Sequence, residues 1–149
     1  MSREKIVGVV TLVMILISTV AVQQGFAKKP EFPQPPVSGL IGSVSNPSGD
    51  CVNLGLKGWY GTVTISFSRL WVFLQHANMN STYIIYVGYV MPGGSCNGTW
   101  RPVGSVNTDA AGEGSSMQWF TPSSGYSYCV FKFEDSLGNV VFATNSLAI

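Results

Sequence analysis

Charged residues are scarce in this chain of 149 residues, where only 10% are Asp, Glu, Lys or Arg and the formal net charge is +1. Beyond residue 27 the acidic and basic side chains balance, with six of each. A protein that binds nucleic acid or an anionic membrane surface needs a basic excess on one face. We therefore expect neither as a partner.

Histidine occurs only once, as His76, and no G-x-S-x-G motif is present. A blue-copper site needs two histidines and a cysteine thiolate, and a serine hydrolase needs a nucleophile on a recognisable elbow. Asp109 with Glu113 and Glu134 with Asp135 lie in turn sequences, where Asp bonds its own backbone, so we interpret them as turns and not as Ca²⁺ ligands. The sequence predicts no enzyme, no catalytic residue, no metal and no cofactor.

Cysteine is limited to three residues, which permit one disulfide and leave one thiol. Cys51 and Cys96 lie in loop-like sequences rich in Gly and Ser, whereas Cys129 shares a strand face with Phe131 and Phe133. We predict a Cys51–Cys96 disulfide and a buried free Cys129. The alternative is a bond between Cys51 and Cys129 that crosses the core.

The N-terminus carries the features of an export signal. Two basic residues precede an uncharged apolar run at residues 6–22, and Gly25 and Ala27 supply the small residues that a signal peptidase recognises. We predict a signal peptide at residues 1–27 and a secreted or cell-surface protein. The apolar run also reaches the lower limit for a bilayer span, so the alternative is a retained membrane anchor at residues 6–22.

Residues 28–36 contain four prolines and predict an extended spacer. The alternative is a disordered N-terminus of the mature chain. The rest, residues 37–149, is long enough for one domain with its own core.

Alternating apolar and polar residues dominate residues 61–68, as expected of a strand with one buried face. Residues 70–74 and 83–90 are also rich in aromatic and β-branched side chains, and we predict that these two runs pair as a central hairpin. Pro102 interrupts a strand predicted at residues 100–106, which places that strand at a sheet edge or at a bulge.

Further strands are predicted at four places, and no helical period is sustained beyond residue 27. These strands are residues 37–45, 115–120, 126–134 and 139–149. Seven or eight short strands separated by Gly, Pro, Asn and Asp turns indicate an all-β fold, an antiparallel β-sandwich or barrel, and we predict the sandwich.

Residues 78–87, with a polar corner ending in Thr-Tyr before an alternating strand, resemble the fibronectin type III and bacterial immunoglobulin-like domains. The turns at residues 108–112 and 135–139 are similar to those of secreted sandwiches of that kind. The resemblance implies an immunoglobulin-like β-sandwich in which the Tyr83 hydroxyl bonds backbone near residues 78–80. The Trp and Cys spacing departs from the antibody pattern, so an antibody-type core disulfide is not implied.

Aromatic residues make up 12% of the chain. We expect Trp71 and Trp119 to lie in the core, because each is close in sequence to another large apolar residue. Trp59, Tyr60 and Trp100 flank loops and are the candidate members of an exposed platform for a glycan.

Two N-x-S/T sequons, at Asn80 and Asn97, fall in predicted turns and are candidate glycosylation sites in an exported chain.

The leading functional hypothesis is an exported, non-enzymatic β-sandwich that serves as a structural or adhesive subunit at the cell surface. Its expected partners are other proteins, including copies of itself, with residues 37–45 donated as a strand to a neighbour. The alternative is a carbohydrate-binding module that uses the three loop-flanking aromatics.

Overall fold

The computed structural model describes residues 35–149. The predicted signal peptide or anchor at residues 1–27 lies outside the described residues, as does the spacer up to residue 34. Within the described range the chain is all-β and has no helix, so nothing there has the length and apolarity of a helical membrane span. The nine strands are β1 (Val37–Val44), β2 (Leu56–Ser66), β3 (Arg69–Leu74), β4 (Thr82–Val90), β5 (Arg101–Asn107), β6 (Gly114–Trp119), β7 (Tyr128–Glu134), β8 (Val140–Thr144) and β9 (Leu147–Ala148).

All strand pairs are antiparallel, and the strands follow the order β5-β4-β7-β8-β1-β2-β3-β6, with β9 paired to β7. The two end strands, β5 and β6, lie side by side without a backbone ladder, so the sheet is nearly barrel-shaped. Gln118 bridges this gap, because its Nε2 donates to the Ser105 carbonyl at 2.9 Å. The all-β, antiparallel part of the predicted fold is confirmed.

The predicted central hairpin is wrong. Strand β3 pairs with β2, and the turn between them consists of Phe67 and Ser68, both with positive φ (50° and 61°). Two left-handed residues in a two-residue loop match the twist of antiparallel strands, so a tight hairpin closes here. Strand β4 instead pairs with β5 and β7.

The corner before β4 has the bond that the resemblance implied. The Asn78 backbone N–H donates to the Tyr83 hydroxyl at 3.1 Å, and the Tyr83 ring is fully buried against Phe142, with ring centroids 5.3 Å apart. This bond satisfies the phenol group, so the ring can lie in the core.

Pro102 has the effect predicted from the sequence. The pairing of β4 and β5 shifts register between Ile85 and Tyr86, so that Val103 is an extra residue on β5. Proline has no N–H for a second ladder, and β5 pairs with β4 alone. Strand β5 is thus one end of the sheet.

The core consists of buried side chains from every described strand except β6, with alternating burial along β3 and the first half of β4. Its largest buried members include Tyr83, Phe131, Phe133, Ile41 and Leu70. A second apolar cluster surrounds the loop between β1 and β2; it consists of Cys51, Leu54, Val90, Val130 and Ala143.

The cysteines follow the prediction. Cys51 and Cys96 form a disulfide with their Cα atoms 5.7 Å apart, and Cys129 is free and buried. The disulfide ties the loop between β1 and β2 to the segment that follows β4.

Candidate functional site

Trp59 lies in an irregular part of β2. Ile41 of β1 pairs with Gly61 of β2, and Ser43 pairs with Lys57. Between these two pairs β1 has one residue, Gly42, whereas β2 has three, residues 58–60. Such a bulge turns the extra residues out of the ladder. The Trp59 side chain is 50% exposed.

The other two aromatics of the predicted glycan platform are half-buried. The Tyr60 ring packs on Phe142, with centroids 5.0 Å apart. The Trp100 ring lies against Gly88, where an added Cβ would come within 2.9 Å of it, and the Lys132 ammonium sits 4.7 Å from its centroid. Of the three residues only Trp59 is exposed, so they do not form one exposed row.

A different group of apolar side chains is exposed on the outer side of β3 and β6. Trp119 is 73% exposed, Trp71 is 49% exposed, and Phe73 and Met117 are each 41% exposed. We call these four residues the aromatic face. The expectation that Trp71 and Trp119 belong to the core is wrong, since Leu70, Val72 and Leu74 fill the inward positions of β3 instead.

The register of β3 and β6 brings the aromatic face together. Trp71 is opposite Met117, and Arg69 is opposite Trp119. The Arg69 guanidinium lies 4.6 Å from the centre of the Trp119 ring, a cation–π contact that orients the ring. Trp71 and Trp119 are therefore diagonal neighbours on one surface.

Hydroxyl groups border the aromatic face on β2. Thr62 is opposite Phe73, and Thr64 is opposite Trp71. The Thr64 hydroxyl also bonds that of Ser38 at 2.8 Å. Strands β1, β2, β3 and β6 contain no Asp or Glu. The carboxylates of Asp109 and Glu113 do border this surface at one end, where they line a pocket with Phe73.

A cleft of about 170 Å³ opens where β5 and β6 separate. Beyond the Gln118 bridge, Pro102 and Val103 form one wall, Trp119 and Phe120 form the other, and Arg101 lies at the rim. The cleft thus shares Trp119 with the aromatic face. None of the residues that line the cleft carries a carboxylate. They are Val87, Tyr89, Arg101, Pro102, Val103, Trp119, Phe120 and Thr121.

The turn carboxylates bond their own backbones. Asp109 Oδ1 accepts the N–H groups of Ala111 and Glu113, and the Glu113 bond is the main reason why the pKa of Asp109 is lowered. The pKa of Asp135 is lowered chiefly by its side-chain bond to Asn139. Among residues 35–149 there is no group of three or more His, Cys, Asp or Glu side chains that could hold a metal ion.

His76 and Cys129 differ in environment. His76 is exposed at a left-handed position (φ 56°), two residues after the end of β3. Burial raises the pKa of the Cys129 thiol to about 12, which suppresses the nucleophilic thiolate.

The two sequons differ in access. Asn80 is exposed in the turn before β4. Asn97 is half-buried, its Nδ2 is 3.4 Å from the Tyr126 hydroxyl, and its Oδ1 accepts the Thr99 N–H. Glycosylation of either asparagine stays a prediction.

Comparison of the chain with protein-family models, with curated proteins and with solved structures found no match.

Proposed function

We propose that this protein is an exported, non-enzymatic β-sandwich that acts as a structural or adhesive subunit at the cell surface and assembles by strand donation. The observation that carries the proposal is the position of β1. This strand is the first in the described chain, and it completes the sheet between β2 and β8.

The strand order supports an immunoglobulin-like sandwich. From β2 to β8 the strands correspond in chain order to A, B, C, C′, E, F and G of that fold. Strands β2, β3 and β6 then make an A-B-E sheet, and β5, β4, β7 and β8 make a C′-C-F-G sheet. Strand β1 lies between the A and G edges and joins the two sheets.

Strand β1 has the properties of a donated strand. It makes a ladder with β2 from Val37 to Val44 and a shorter one with β8 around Gly42. Its only large side chain in the core is Ile41, and the pocket beside Gly39 is filled by Leu147. Most of its binding energy therefore comes from backbone hydrogen bonds, which the same strand of another copy would reproduce.

The loop after β1 can serve as the hinge. Residues 45–55 connect β1 to β2, and the disulfide holds Cys51 beside Cys96. Six residues, 45–50, lie between β1 and that tether, and a fully extended segment of this length spans at most about 20 Å. Exchange of an identical element through such a hinge is a low-cost route to an assembly.

Export is the second part of the proposal. A structural disulfide is compatible with an extracytoplasmic protein, where the redox conditions preserve it. The predicted signal at residues 1–27 supplies the route. On an exported chain Asn80 is the more accessible of the two sequons.

The test is the assembly state of protein recovered from its native surface, measured by size-exclusion chromatography and negative-stain microscopy. We expect oligomers or filaments from the natural chain and a monomer from a variant that lacks residues 28–45. Oligomers that persist in the deletion variant would refute strand donation. Turnover that disappears in His76→Ala would refute the non-enzymatic assignment.

A further inference from the structure

We propose that the aromatic face and the adjoining cleft bind a polysaccharide that carries carboxylate groups. The residues involved differ from the loop-flanking trio predicted from the sequence. The proposal does not depend on strand donation, because neither the aromatic face nor the cleft includes β1.

The exposed area is the first argument. Large apolar side chains present about 150–250 Å² each, so the exposed fractions of the four residues of the aromatic face amount to roughly 400 Å². The largest apolar patch on a typical monomer is about 300–600 Å² and is often functional. A stable protein interface buries about 800 Å² on each partner, so this patch fits a ligand smaller than a folded protein.

The arrangement of the rings is the second argument. An aromatic ring has a negative face, which attracts the weakly positive C–H groups on the flat side of a pyranose sugar. Diagonal neighbours such as Trp71 and Trp119 are about 7–8 Å apart, within reach of aromatic side chains. Two rings at that separation can contact successive sugars of one chain. The hydroxyls of Thr62 and Thr64 are placed beside them for hydrogen bonds to the ligand.

The positive charges beside the aromatic face favour a sugar that carries a carboxylate group. Arg69 lies over Trp119, and Arg101 lines the cleft that also includes Trp119. Neither the strands of the aromatic face nor the cleft lining contains an acidic residue, and the carboxylates of Asp109 and Glu113 border the face at its Phe73 end, at the other end of β3 from Arg69. Guanidinium groups bind carboxylates through paired, charge-assisted hydrogen bonds.

Affinity electrophoresis of the purified chain in native gels tests the proposal. The gels contain alginate, polygalacturonate or hyaluronate as acidic polymers, or β-mannan as a neutral one. We expect at least one acidic polymer to retard the natural chain and β-mannan to retard it less. Trp119→Ala and Trp71→Ala should each weaken binding at least about tenfold. Replacement by alanine of an aromatic residue that stacks on a base of single-stranded nucleic acid has an effect of this size. Trp59→Ala is the control matched to Trp71→Ala, since it removes a ring outside the aromatic face that is as exposed as that of Trp71.

The charge contribution has its own variants. Arg69→Gln and Arg101→Gln should weaken binding to the acidic polymer about tenfold each, and Arg101→Gln, which removes no cation–π contact with the Trp119 ring, should leave binding to β-mannan unchanged. Lys57→Gln removes an exposed cation elsewhere on β2 and should change neither. Thermal unfolding of each variant checks that the loss is not a loss of folding.

Four results would overturn the proposal. One is that no acidic polymer retards the natural chain. A second is that Trp59→Ala weakens binding as much as Trp119→Ala. A third is equal affinity for β-mannan and for the acidic polymers, which would show that the carboxylate groups of the ligand do not contribute to binding. The fourth is an oligomer that dissociates in Trp119→Ala while polymer binding is absent, which would make the aromatic face a protein interface.

Discussion

Removal of the Cys51–Cys96 disulfide in a Cys51→Ala, Cys96→Ala variant should destabilise the protein by about 4 kcal/mol. The two cysteines are 45 residues apart in sequence, and closure of a loop of that length restricts the unfolded chain by this amount on the chain-entropy model. Such a loss lowers the unfolding temperature of a domain of this size by roughly 15 °C.

Urea unfolding measures the effect. The transition midpoint should fall while the slope of free energy against urea concentration rises slightly, since the uncrosslinked chain exposes more surface. Natural protein that has been reduced is the first control and should match the double variant. Cys129→Ala is the second control and should retain the disulfide. A loss below about 1 kcal/mol would refute the reasoning, because the disulfide would then not restrict the unfolded chain.

Three further predictions rest on single side chains. Ser116 Oγ is buried without a hydrogen-bond partner, so Ser116→Ala should be neutral or stabilise the protein by about 1 kcal/mol in urea unfolding, and a clear destabilisation would contradict this. Cys129 should resist thiol reagents at pH 8 until the protein unfolds, and rapid labelling of the native protein would show instead that the thiol is accessible. Cys129→Ser should lower the free energy of unfolding by about 1–3 kcal/mol, because it buries a hydroxyl group. The lowered pKa values of Asp109 and Asp135 stabilise the fold above about pH 4, and this stabilisation is lost as the pH falls through the folded pKa values. The Asp109→Asn, Asp135→Asn variant should therefore lose less stability between pH 5 and pH 2 than the natural chain, and an unchanged acid dependence would contradict the assignment.

The positions of most strands could be predicted from the sequence, because local patterns determine them. The alternation predicted for residues 61–68 is confirmed as far as Ser66, whereas Phe67 and Ser68 form the turn and Phe67 is exposed. The predicted effect of Pro102 is also confirmed, and both signals act over a few residues. The disulfide could also be predicted, since the apolar surroundings of Cys129 set it apart from the loop cysteines.

The pairing of strands was harder to predict. The tight turn at Phe67 and Ser68 lacks the Asn-Gly or Asp-Gly signal of such hairpins, so the polar segment between β3 and β4 was the more conspicuous turn. On its other side β3 pairs with β6, which lies far along the chain. Long-range pairings of this kind depend on the whole fold.

The aromatic face was missed because β3 is apolar on both sides. Trp and Phe are residue types that are usual in a core, so Trp71 and Phe73 gave no sign of exposure. Only the structure shows that Leu70 and Val72 occupy the inward positions of β3. The alternation along β6 was a usable signal, since Ser116 and Gln118 are polar where Met117 and Trp119 are apolar. Small and polar residues face inward there, which reverses the usual pattern.

Disulfide trapping between two copies tests strand donation most directly. Ser38 of β1 and Thr64 of β2 are paired in register, with their hydroxyl oxygens 2.8 Å apart. Assemblies that contain both Ser38→Cys chains and Thr64→Cys chains are oxidised and separated on non-reducing gels. Strand donation predicts a covalent dimer of one chain of each kind, which neither variant forms alone. If the mixture yields no such dimer, while one chain carrying both substitutions closes an internal disulfide, then β1 completes its own sheet and the central claim is wrong.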